Sequence, residues 1–343
     1  SNFNNKSTVS FDGSNDFLDY GNGQMSAASN YSFFFVYKSG DNTKRQYLFD
    51  TKTGTLTLPH DGTGQEKAYN DGSAHGTALN GTSTKLVLWQ LKSTGSSIYE
   101  NGTQTQSGLT YTQRAINAST SLGANEAGNN REYTGDIAEC IIYNTTLNSA
   151  QRILVENYLG NKYGISIAND KYAHQATYKD DIAGIGREDA SNEHTAAESA
   201  KIFKVSSAGS LGNGDYLLFG HDAGSISSWS TTEQPNTEIK RIAREWRLDE
   251  TGDVGTITIT MDTAILPAHS SGFNGYVVMV DADGDFSSGA KIYALASAGG
   301  STYNITGVDI NDNDYVTFGC ARNVYKSTSG NFNVAGNCCL LYT

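Results

Sequence analysis

Residues 135–165 read GDIAECIIYNTTLNSAQRILVENYLGNKYGI, and the rest of the chain is organised around this stretch. The apolar run 137–143 predicts a strand, which a short polar turn separates from a helix. Asn148 and Gln151 stand three residues apart, the spacing of a capping box at a helix N-terminus. Gly164 suits the C-terminal cap, because glycine adopts a left-handed backbone without steric cost. The stretch therefore predicts one strand followed by one helix.

The predicted helix has a single apolar face. Its members recur at helical spacing: Leu154, Val155, Tyr158 and Leu159. Nearly all of the sequence before and after this helix consists of short strand patterns separated by turn residues. A lone helix among strands marks the end of a first domain, so we expect two all-β domains.

The sequence before the helix predicts a sandwich or jelly roll. The runs YSFFFVY at 31–37 and KLVLWQL at 85–91 are apolar enough to form its central strands. Asn101 and Gly102 fit the two left-handed positions of a type I′ turn, which predicts a hairpin around them. Strands at such intervals, with turn residues between them, are typical of this architecture.

The sequence after the helix predicts an immunoglobulin-like sandwich. About seven strand patterns follow residue 181, including 239–248 and the alternating run TITITM at 256–261. Alternation places Trp246 on one face of its strand, with Glu245 and Arg247 on the other. We interpret this segment as a core tryptophan beneath an exposed ion pair.

Composition favours a secreted β-protein and excludes several classes of function. The chain has 343 residues, a net charge of -12, only 17% charged residues, 37 glycines and 20 tyrosines. A nucleic-acid-binding protein would need a basic stripe, which this sequence lacks. No apolar run approaches the ~20 residues of a membrane-spanning helix. We therefore expect an extracellular protein with neither a nucleic-acid partner nor a membrane span.

Two motifs resemble bacterial laminin-G-like, concanavalin-A-like lectin domains. FDGSNDFLDYG at 11–21 looks like the opening strand pair of that family, and 135–165 looks like its closing strand and helix. The resemblance implies a jelly roll over 1–165, with a connector at 166–180. In that family a tryptophan-containing strand usually precedes the FDG segment. Its absence here implies that the strand was cut off, or that another chain or the C-terminal tail supplies it.

The second half resembles a module that follows laminin-G-like domains in very large bacterial surface proteins. The resemblance covers 181–319 and is carried by DIAGIGREDAS, GDYLLFGHD and REWRLDETGDVGTITI. Those proteins are cell-surface adhesins and gliding-type proteins. The resemblance therefore implies a place on the bacterial cell surface and a role in adhesion.

One acidic loop is a candidate calcium site. Asp281, Asp283 and Asp285 alternate directly after a strand pattern, and Gly284 allows the chain to bend. Three carboxylates arranged in this way can converge on one hard cation, as in the first half of an EF-hand-like loop. Ile292 stands where the bidentate glutamate of such a loop would be. The alternatives are a weak extracellular calcium site, with calcium as cofactor, or a polar turn.

A polar cluster before the closing strand is the candidate ligand site of the first domain. It contains Asn125, Asn129, Arg131 and Asp136. Sugars bind where polar side chains lie beside an aromatic ring, because sugar faces are apolar. Asp136 has the alternative interpretation of a structural turn carboxylate.

Three of the four cysteines lie in the C-terminal region 320–343. A bridge from Cys320 to Cys338 or Cys339 would tie down this tail and would suit an oxidising compartment. Cys140, in the apolar strand, is expected to be a buried free thiol. The tail is a candidate docking or exchanged strand, and with the N-terminal edge it offers a route to self-association.

No catalytic motif stands out in the sequence. The carboxylate pairs Glu188-Asp189 and Asp249-Glu250 are adjacent, so their side chains would face opposite ways on a strand. We expect a non-catalytic extracellular adhesion module that binds a glycan or a surface protein. One alternative is a structural subunit of an extracellular filament assembled by strand exchange. The other is a carbohydrate-binding appendage of a polysaccharide-degrading enzyme.

Overall fold

The structure is a computed structural model. It describes residues 3–21, 30–41, 45–51, 57–61, 68–70, 73–75, 82–92, 94–109, 120–124, 131–322, 324–326 and 332–334. The chain forms two compact units: Ser1–Leu147 with Leu159–Asn169, and Asn148–Tyr158 with Asp170–Thr343. Both are built almost entirely from strands, which confirms the all-β prediction with one helix. The domain bounds drawn from the sequence stay a prediction.

The first unit contains twelve of the described strands. They are β1 (Val9–Asp12), β2 (Leu18–Asp19), β3 (Tyr31–Ser39), β4 (Arg45–Thr51), β5 (Thr57–Asp61), β6 (Ala68–Asn70), β7 (Ser73–His75), β8 (Lys85–Leu91), β9 (Ser96–Glu100), β10 (Thr103–Leu109), β11 (Thr120–Leu122) and β12 (Thr134–Tyr143). Helix α1 (Ser149–Tyr163) follows and contributes residues to both units.

Two six-stranded sheets form the first unit. Their orders are β1-β12-β3-β8-β9-β10 and β2-β11-β4-β5-β6-β7. Phe33 and Phe35, from the centre of one sheet, lie 5.5 and 6.2 Å from the ring of Phe49 in the other. The predicted central strands therefore form the core. The predicted hairpin is also confirmed, with Asn101 and Gly102 at φ of 48° and 78°.

The N-terminal edge of this sandwich is apolar. Strands β1 and β2 pair only with β12 and β11 among the described residues, so each lies at the edge of its sheet. Four large side chains stay exposed there: Val9 at 44%, Phe17 at 40%, Leu18 at 40% and Tyr20 at 48%. An exposed apolar edge is a template for pairing with another strand.

The ends of helix α1 follow the sequence prediction. The backbone amide of Gln151 donates to Asn148 Oδ1 at 2.9 Å, and the backbone amide of Asn148 donates to Gln151 Oε1 at 3.1 Å. Gly164 has a φ of 67°, and the amide of Ile165 donates to the carbonyl of Gly160 at 2.8 Å. Both caps form from residues within one or two turns of each other, which explains why local sequence predicts them.

The predicted apolar face of the helix is wrong in part. Leu159 is buried, but Leu154, Val155 and Tyr158 are only partly buried. Polar positions are more deeply buried than these three. Arg152 and Glu156 form a buried ion pair at 2.6 Å, so charge pairing rather than apolar periodicity satisfies this side of the helix.

The second unit contains the remaining described strands. They are β13 (Asp180–Asp189), β14 (Asn192–His194), β15 (Ala196–Ser199), β16 (Phe203–Ser206), β17 (Tyr216–His221), β18 (Ile239–Arg241), β19 (Trp246–Thr251), β20 (Ile257–Asp262), β21 (Gly275–Asp281), β22 (Lys291–Gly299), β23 (Thr302–Val308), β24 (Tyr315–Ala321), β25 (Val324–Lys326) and β26 (Phe332–Val334). Strands β25 and β26 pair with each other.

One continuous sheet folds around the core of the second unit. Its order is β14-β13-β17-β19-β24-β21-β22-β23-β20-β16-β15, with β18 paired to β24. The ring centroid of Phe203, on β16, lies 5.6 Å from that of Trp246 on β19 and 5.5 Å from that of Phe318 on β24. Strands from distant positions in the sheet order therefore enclose one apolar core, as in a sandwich, and aromatic residues lie deepest in it.

The predicted single strand 239–248 is wrong. It divides into β18 and β19, and both pair with β24. Between them the amide of Ile242 donates to the carbonyl of Phe318, and that of Ala243 donates to the carbonyl of Ser225. Periodicity could not reveal this break, because the interrupting partners are distant in sequence.

Candidate functional site

Three charged side chains lie in a row on the outer face of β19 and of the residue just before it. Trp246 and Leu248 are buried in the core, whereas Glu245, Arg247 and Asp249 lie on the opposite face and are partly exposed. The alternation predicted from the sequence is therefore confirmed. This face of the second unit is the best candidate for a functional site.

Arg247 stacks on an aromatic ring of the neighbouring strand. Its guanidinium carbon lies 3.6 Å from the ring centroid of Tyr315, its register partner on β24. The ring of Tyr178 meets that of Tyr315 edge-on, with centroids 5.7 Å apart and planes at 75°. All three residues are partly exposed. We call this group the Tyr178–Arg247–Tyr315 platform.

Backbone contacts hold Tyr178 in place. The hydroxyl of Tyr172, which is buried, donates to the carbonyl of Tyr178 at 2.7 Å. Gly220 lies beneath this carbonyl, and a Cβ at that position would come within 2.4 Å of it. Glu245 Oε2 lies 3.5 Å from the Tyr178 hydroxyl. Burial, followed by the charge of Glu245, raises the pKa of Tyr178 to about 12, so its hydroxyl remains a donor at neutral pH.

The acidic loop supports the other side of the platform. Gly284 lies against Tyr315, and a Cβ on Gly284 would be 3.1 Å from the tyrosine ring. Gly284 also has a φ of 86°, a conformation that favours glycine. The loop between β21 and β22 therefore fixes the ring on which Arg247 stacks.

The Arg247 guanidinium lacks acceptors. Its Nε and Nη1 atoms are buried and make no hydrogen bond within the described part of the chain. Burial lowers the pKa of Arg247, while Tyr178, Tyr172 and Asp312 act in the opposite direction. Stacking on Tyr315 provides cation–π attraction but no acceptor. The side chain as a whole is partly exposed, so a ligand oxygen can approach it through Nη2, which is not among these buried atoms.

The predicted Glu245–Arg247 ion pair is wrong. Glu245 Oε1 instead accepts a hydrogen bond from Arg241 Nη2 at 2.9 Å, and the same guanidinium pairs with Glu233. Burial raises the pKa of Glu245, and its pairing with Arg241 opposes that shift. The reason for the error is that Arg241 reaches Glu245 across the break between β18 and β19.

Two further carboxylates belong to this face: Asp249 lies on the same side of β19 as Arg247, and Asp312 interacts with Arg247 electrostatically. Asp249 Oδ2 accepts the Ala173 amide at 2.5 Å, and Asp312 Oδ1 accepts the Glu250 amide at 3.0 Å. Burial is the main cause of a raised pKa at Asp249. Neither carboxylate bonds to the guanidinium. The face therefore offers both donors and acceptors within a small area.

The three aspartates of the acidic loop bond to the loop itself. Asp281 Oδ1 accepts the amides of Asp283 and Gly284 at 2.9 and 2.8 Å. Asp283 Oδ1 accepts the amide of Asp285, whose own Oδ1 accepts the amide and hydroxyl of Ser287. Within the described ranges, no three His, Cys, Asp or Glu side chains gather as a metal site would require. The calcium site stays a prediction.

Arg131 and Asp136 have different partners in the first unit. Arg131 lies 5.3 Å over the ring of Tyr47 and donates through Nη1 to its hydroxyl. Asp136, near the start of β12, accepts a hydrogen bond from the Ser10 hydroxyl. Asn125 and Asn129 lie outside the described residues. The proposed ligand role of this cluster therefore stays a prediction.

The cysteines are described in part. Cys320 is buried in the core of the second unit, and Cys338 and Cys339 lie outside the described residues. The predicted bridge therefore stays a prediction. Cys140 is a free, partly buried thiol. Burial raises its pKa to about 12, so it stays protonated at neutral pH.

The second unit also has a cleft of about 540 Å³. Its lining includes Arg187, Glu193, Thr195 and the loop at 207–212, and it contains no aromatic ring. The Arg187 guanidinium donates to Asn213 Oδ1 at 3.1 Å and lies 3.9 Å from Glu193. Because its charged groups already have partners, this cleft is a weaker candidate than the platform.

Comparison with known families gave one match. A family model described as a domain of unknown function (DUF8202) matches residues 151–314. The match begins inside helix α1 and includes Tyr178 and Arg247. A search of the curated proteins found no match.

Solved structures resemble parts of the chain. Domain 4 of AbnA, a GH43 extracellular arabinanase from Geobacillus stearothermophilus in complex with arabinotriose, is 17% identical over 44% of this chain and 82% of its own, with a TM-score of 0.34. The CBM40 domain of the Ruminococcus gnavus IT-sialidase, bound to alpha2,3 sialyllactose, is 12% identical over 42% and 92%, at 0.33. Trypanosoma rangeli sialidase, in complex with the inhibitor DANA, is 15% identical over 42% of this chain, at 0.35.

These likenesses decide nothing about the ligand, because all three TM-scores are low. The match between this chain and the Trypanosoma rangeli sialidase covers only 26% of the sialidase. In the described part of the chain, no helix is long and apolar enough to cross a membrane.

Proposed function

We propose that this chain is a non-catalytic, extracellular glycan-binding module of a large bacterial surface protein, and that it acts in adhesion. The observation that carries the proposal is the Tyr178–Arg247–Tyr315 platform. Its rings are partly exposed, and Arg247 and Tyr315 are held on paired strands of a sheet, which positions a binding site more precisely than a loop does.

The platform has the groups that carbohydrate recognition needs. The apolar faces of sugar rings stack on tyrosine, whose hydroxyl remains free to hydrogen-bond. The Nη2 donors of Arg247 suit sugar oxygens, and the carboxylates of Asp249 and Asp312 suit sugar hydroxyls. Polar groups that flank an aromatic surface fix the orientation of a ligand.

The wider context of the proposal comes from the sequence. The composition is typical of secreted β-proteins. The motifs at 11–21 and 135–165 resemble those of laminin-G-like domains, and 181–319 resembles a module that follows such domains in large bacterial surface proteins. Calcium at Asp281, Asp283 and Asp285 would stabilise the loop beneath Tyr315, and the bridge from Cys320 would fit an oxidising exterior.

The test is glycan binding by matched tyrosine variants. Intact protein is screened on a glycan array, and hits are measured by titration calorimetry. We expect Tyr315→Ala and Tyr178→Ala each to weaken binding at least fivefold, since an aromatic stacking contact contributes about 1–3 kcal/mol. Tyr20→Ala, an equally drastic change at the edge of the first unit, should leave affinity unchanged. Hits that survive both platform variants, or no hits at all, would overturn the proposal.

A second candidate function is assembly into a filament by strand exchange. The apolar edge formed by Val9, Phe17, Leu18 and Tyr20 favours it, because natural proteins usually protect such edges. We expect Leu18→Glu, or deletion of residues 322–343, to convert polymers into monomers in sedimentation velocity. Polymers that persist in both variants would exclude this route. A carbohydrate-binding appendage of an enzyme would use the same platform, and a catalytic domain on the full-length chain would identify it.

A further inference from the structure

We infer that the platform selects uncharged glycans and discriminates against acidic ones, although an arginine lies at its centre. This inference rests on the proposed glycan-binding function. It concerns the chemical class of the ligand, which the aromatic rings alone do not determine.

The negative charges of the nearby carboxylates exceed the single positive charge of Arg247. Asp312, in the loop before β24, interacts electrostatically with Arg247, and Asp249, on the same face of β19 as Arg247, interacts with Asp312. Among the described residues, neither forms an ion pair with the guanidinium. Glu245 lies on the same face, although Arg241 partly neutralises it. Asp314 is buried nearby and bonded to Asn311. The single unpaired cation thus sits in a field of negative charge.

Other titratable groups do not reverse this balance. His174 Nε2 lies 4.0 Å from Asp249, but burial lowers the pKa of His174, so the ring is neutral at pH 7. Asp222 adds a negative charge close to Glu245 and Tyr178. The whole chain carries a net charge of -12, which repels polyanions at longer range.

A hydroxyl suits this face better than a carboxylate. A sugar hydroxyl accepts a hydrogen bond from the guanidinium and donates one to Asp249 or Asp312, whereas a carboxylate can only accept. A ligand carboxylate would be attracted by Arg247 but repelled by both Asp249 and Asp312. The arrangement therefore favours neighbouring hydroxyls of a neutral sugar over the carboxylate of a uronic or sialic acid.

The experiment uses matched probe pairs on the intact chain. Lactose is compared with sialyllactose, and methyl-esterified oligogalacturonate with its de-esterified form, on one array at low salt. Among glycans that bind, we expect the neutral member to bind about five- to tenfold better. The preference should shrink in 0.5 M NaCl because exposed charges are screened. A preference for carboxylated members would overturn the inference.

A gain of binding provides the independent check. The isosteric variant Asp249→Asn/Asp312→Asn keeps acceptors for the Ala173 and Glu250 amides but removes both charges. We expect the ratio of affinities for acidic over neutral members to rise about five- to tenfold, while affinity for the neutral members falls because an amide accepts a sugar hydroxyl less strongly than a carboxylate does. Unchanged discrimination in this variant refutes the inference while leaving glycan binding intact. Absence of any glycan binding by the wild-type chain refutes the proposed function itself.

Discussion

The guanidinium carbon of Arg247 lies 3.6 Å from the centroid of the Tyr315 ring on the next strand. This pairing places a permanently charged group on the outer face of a sheet whose inner face is aromatic core. Nε and Nη1 of the guanidinium have no hydrogen-bond acceptor among the described residues. Because leaving buried donors unpaired costs free energy, the net stabilisation from stacking on Tyr315 is reduced. An arrangement of this kind is more readily explained by binding than by folding.

Arg247→Met should therefore separate binding from stability. Methionine fills a similar volume on Tyr315 and removes two unsatisfied buried donors, while the cation–π attraction is lost. We expect unfolding free energy to change by less than about 1 kcal/mol, because these effects oppose each other. Glycan affinity should fall at least tenfold. Urea denaturation with calorimetric titration checks both, and a loss of several kcal/mol in stability would show that the stack is structural.

Arg152→Ala, unlike Arg247→Met, should lower the free energy of unfolding. Glu156 is buried beside Arg152, so the variant leaves a buried carboxylate without its cation. We expect a loss of about 3 kcal/mol at pH 7. Urea denaturation of Arg247→Met under the same conditions is the comparison.

The loss in Arg152→Ala should depend on pH. Burial raises the pKa of Glu156, and Arg152 opposes that shift, so the variant raises the pKa further. A carboxyl whose pKa is higher in the folded state binds its proton more tightly there. The destabilisation should be complete above the folded-state pKa and should diminish as pH falls toward the unfolded-state value. The double variant Arg152→Ala/Glu156→Gln should show no such trend; a persistent trend would assign it to another group.

Gly186→Ala tests the packing beneath Tyr216. A Cβ on Gly186 would lie 2.1 Å from the Tyr216 ring, closer than any real contact. We expect a loss of about 2–3 kcal/mol, measured by thermal or urea denaturation, from overpacking. Tyr216→Leu in the same chain should recover part of it by vacating that space. Purely additive effects would show that the backbone of β13, rather than the ring, limits the site.

The acidic loop allows a calcium test with a clear internal control. Asp281 accepts two loop amides and is buried, so Asp281→Ala should lower stability by about 1–3 kcal/mol with or without calcium. If the loop binds calcium, the melting temperature of the wild type rises with calcium relative to chelator, and Asp283→Ala removes the rise. Coinciding melts in calcium and chelator would identify a polar turn.

Local chemistry in the sequence predicts features whose partners are close together. The capping box of Asn148 and Gln151 and the turn at Asn101 and Gly102 formed as expected, because each depends on two or three neighbouring residues. Strand β13 escaped prediction because Gly184 and Gly186 weaken a strand pattern. Leu218 and Tyr216 of β17 pack against these two glycines and leave no room for a side chain at either position.

The candidate site shows the same limit. Alternation placed Arg247 on the outer face, but nothing local identified Tyr315, which lies nearly seventy positions away and becomes its neighbour only through strand pairing. Tyr178 lay in a segment interpreted as a connector. A partly exposed arginine with an aromatic residue on the adjacent strand is a signal that requires the sheet order. Strand order depends on long-range pairing, which periodicity does not encode.

Helix α1 gives its first ten residues to one compact unit and its last residues to the other. Neither unit is therefore a continuous piece of chain. As the protein emerges from the ribosome, the first unit lacks a segment until Asn169 has been synthesised, and by then the opening segment of the second unit is already exposed. Domains usually fold one after another during synthesis, from the N-terminus onward. Here the final steps of one unit overlap with the first steps of the next, so a truncation at Leu147 should leave an incompletely folded sandwich.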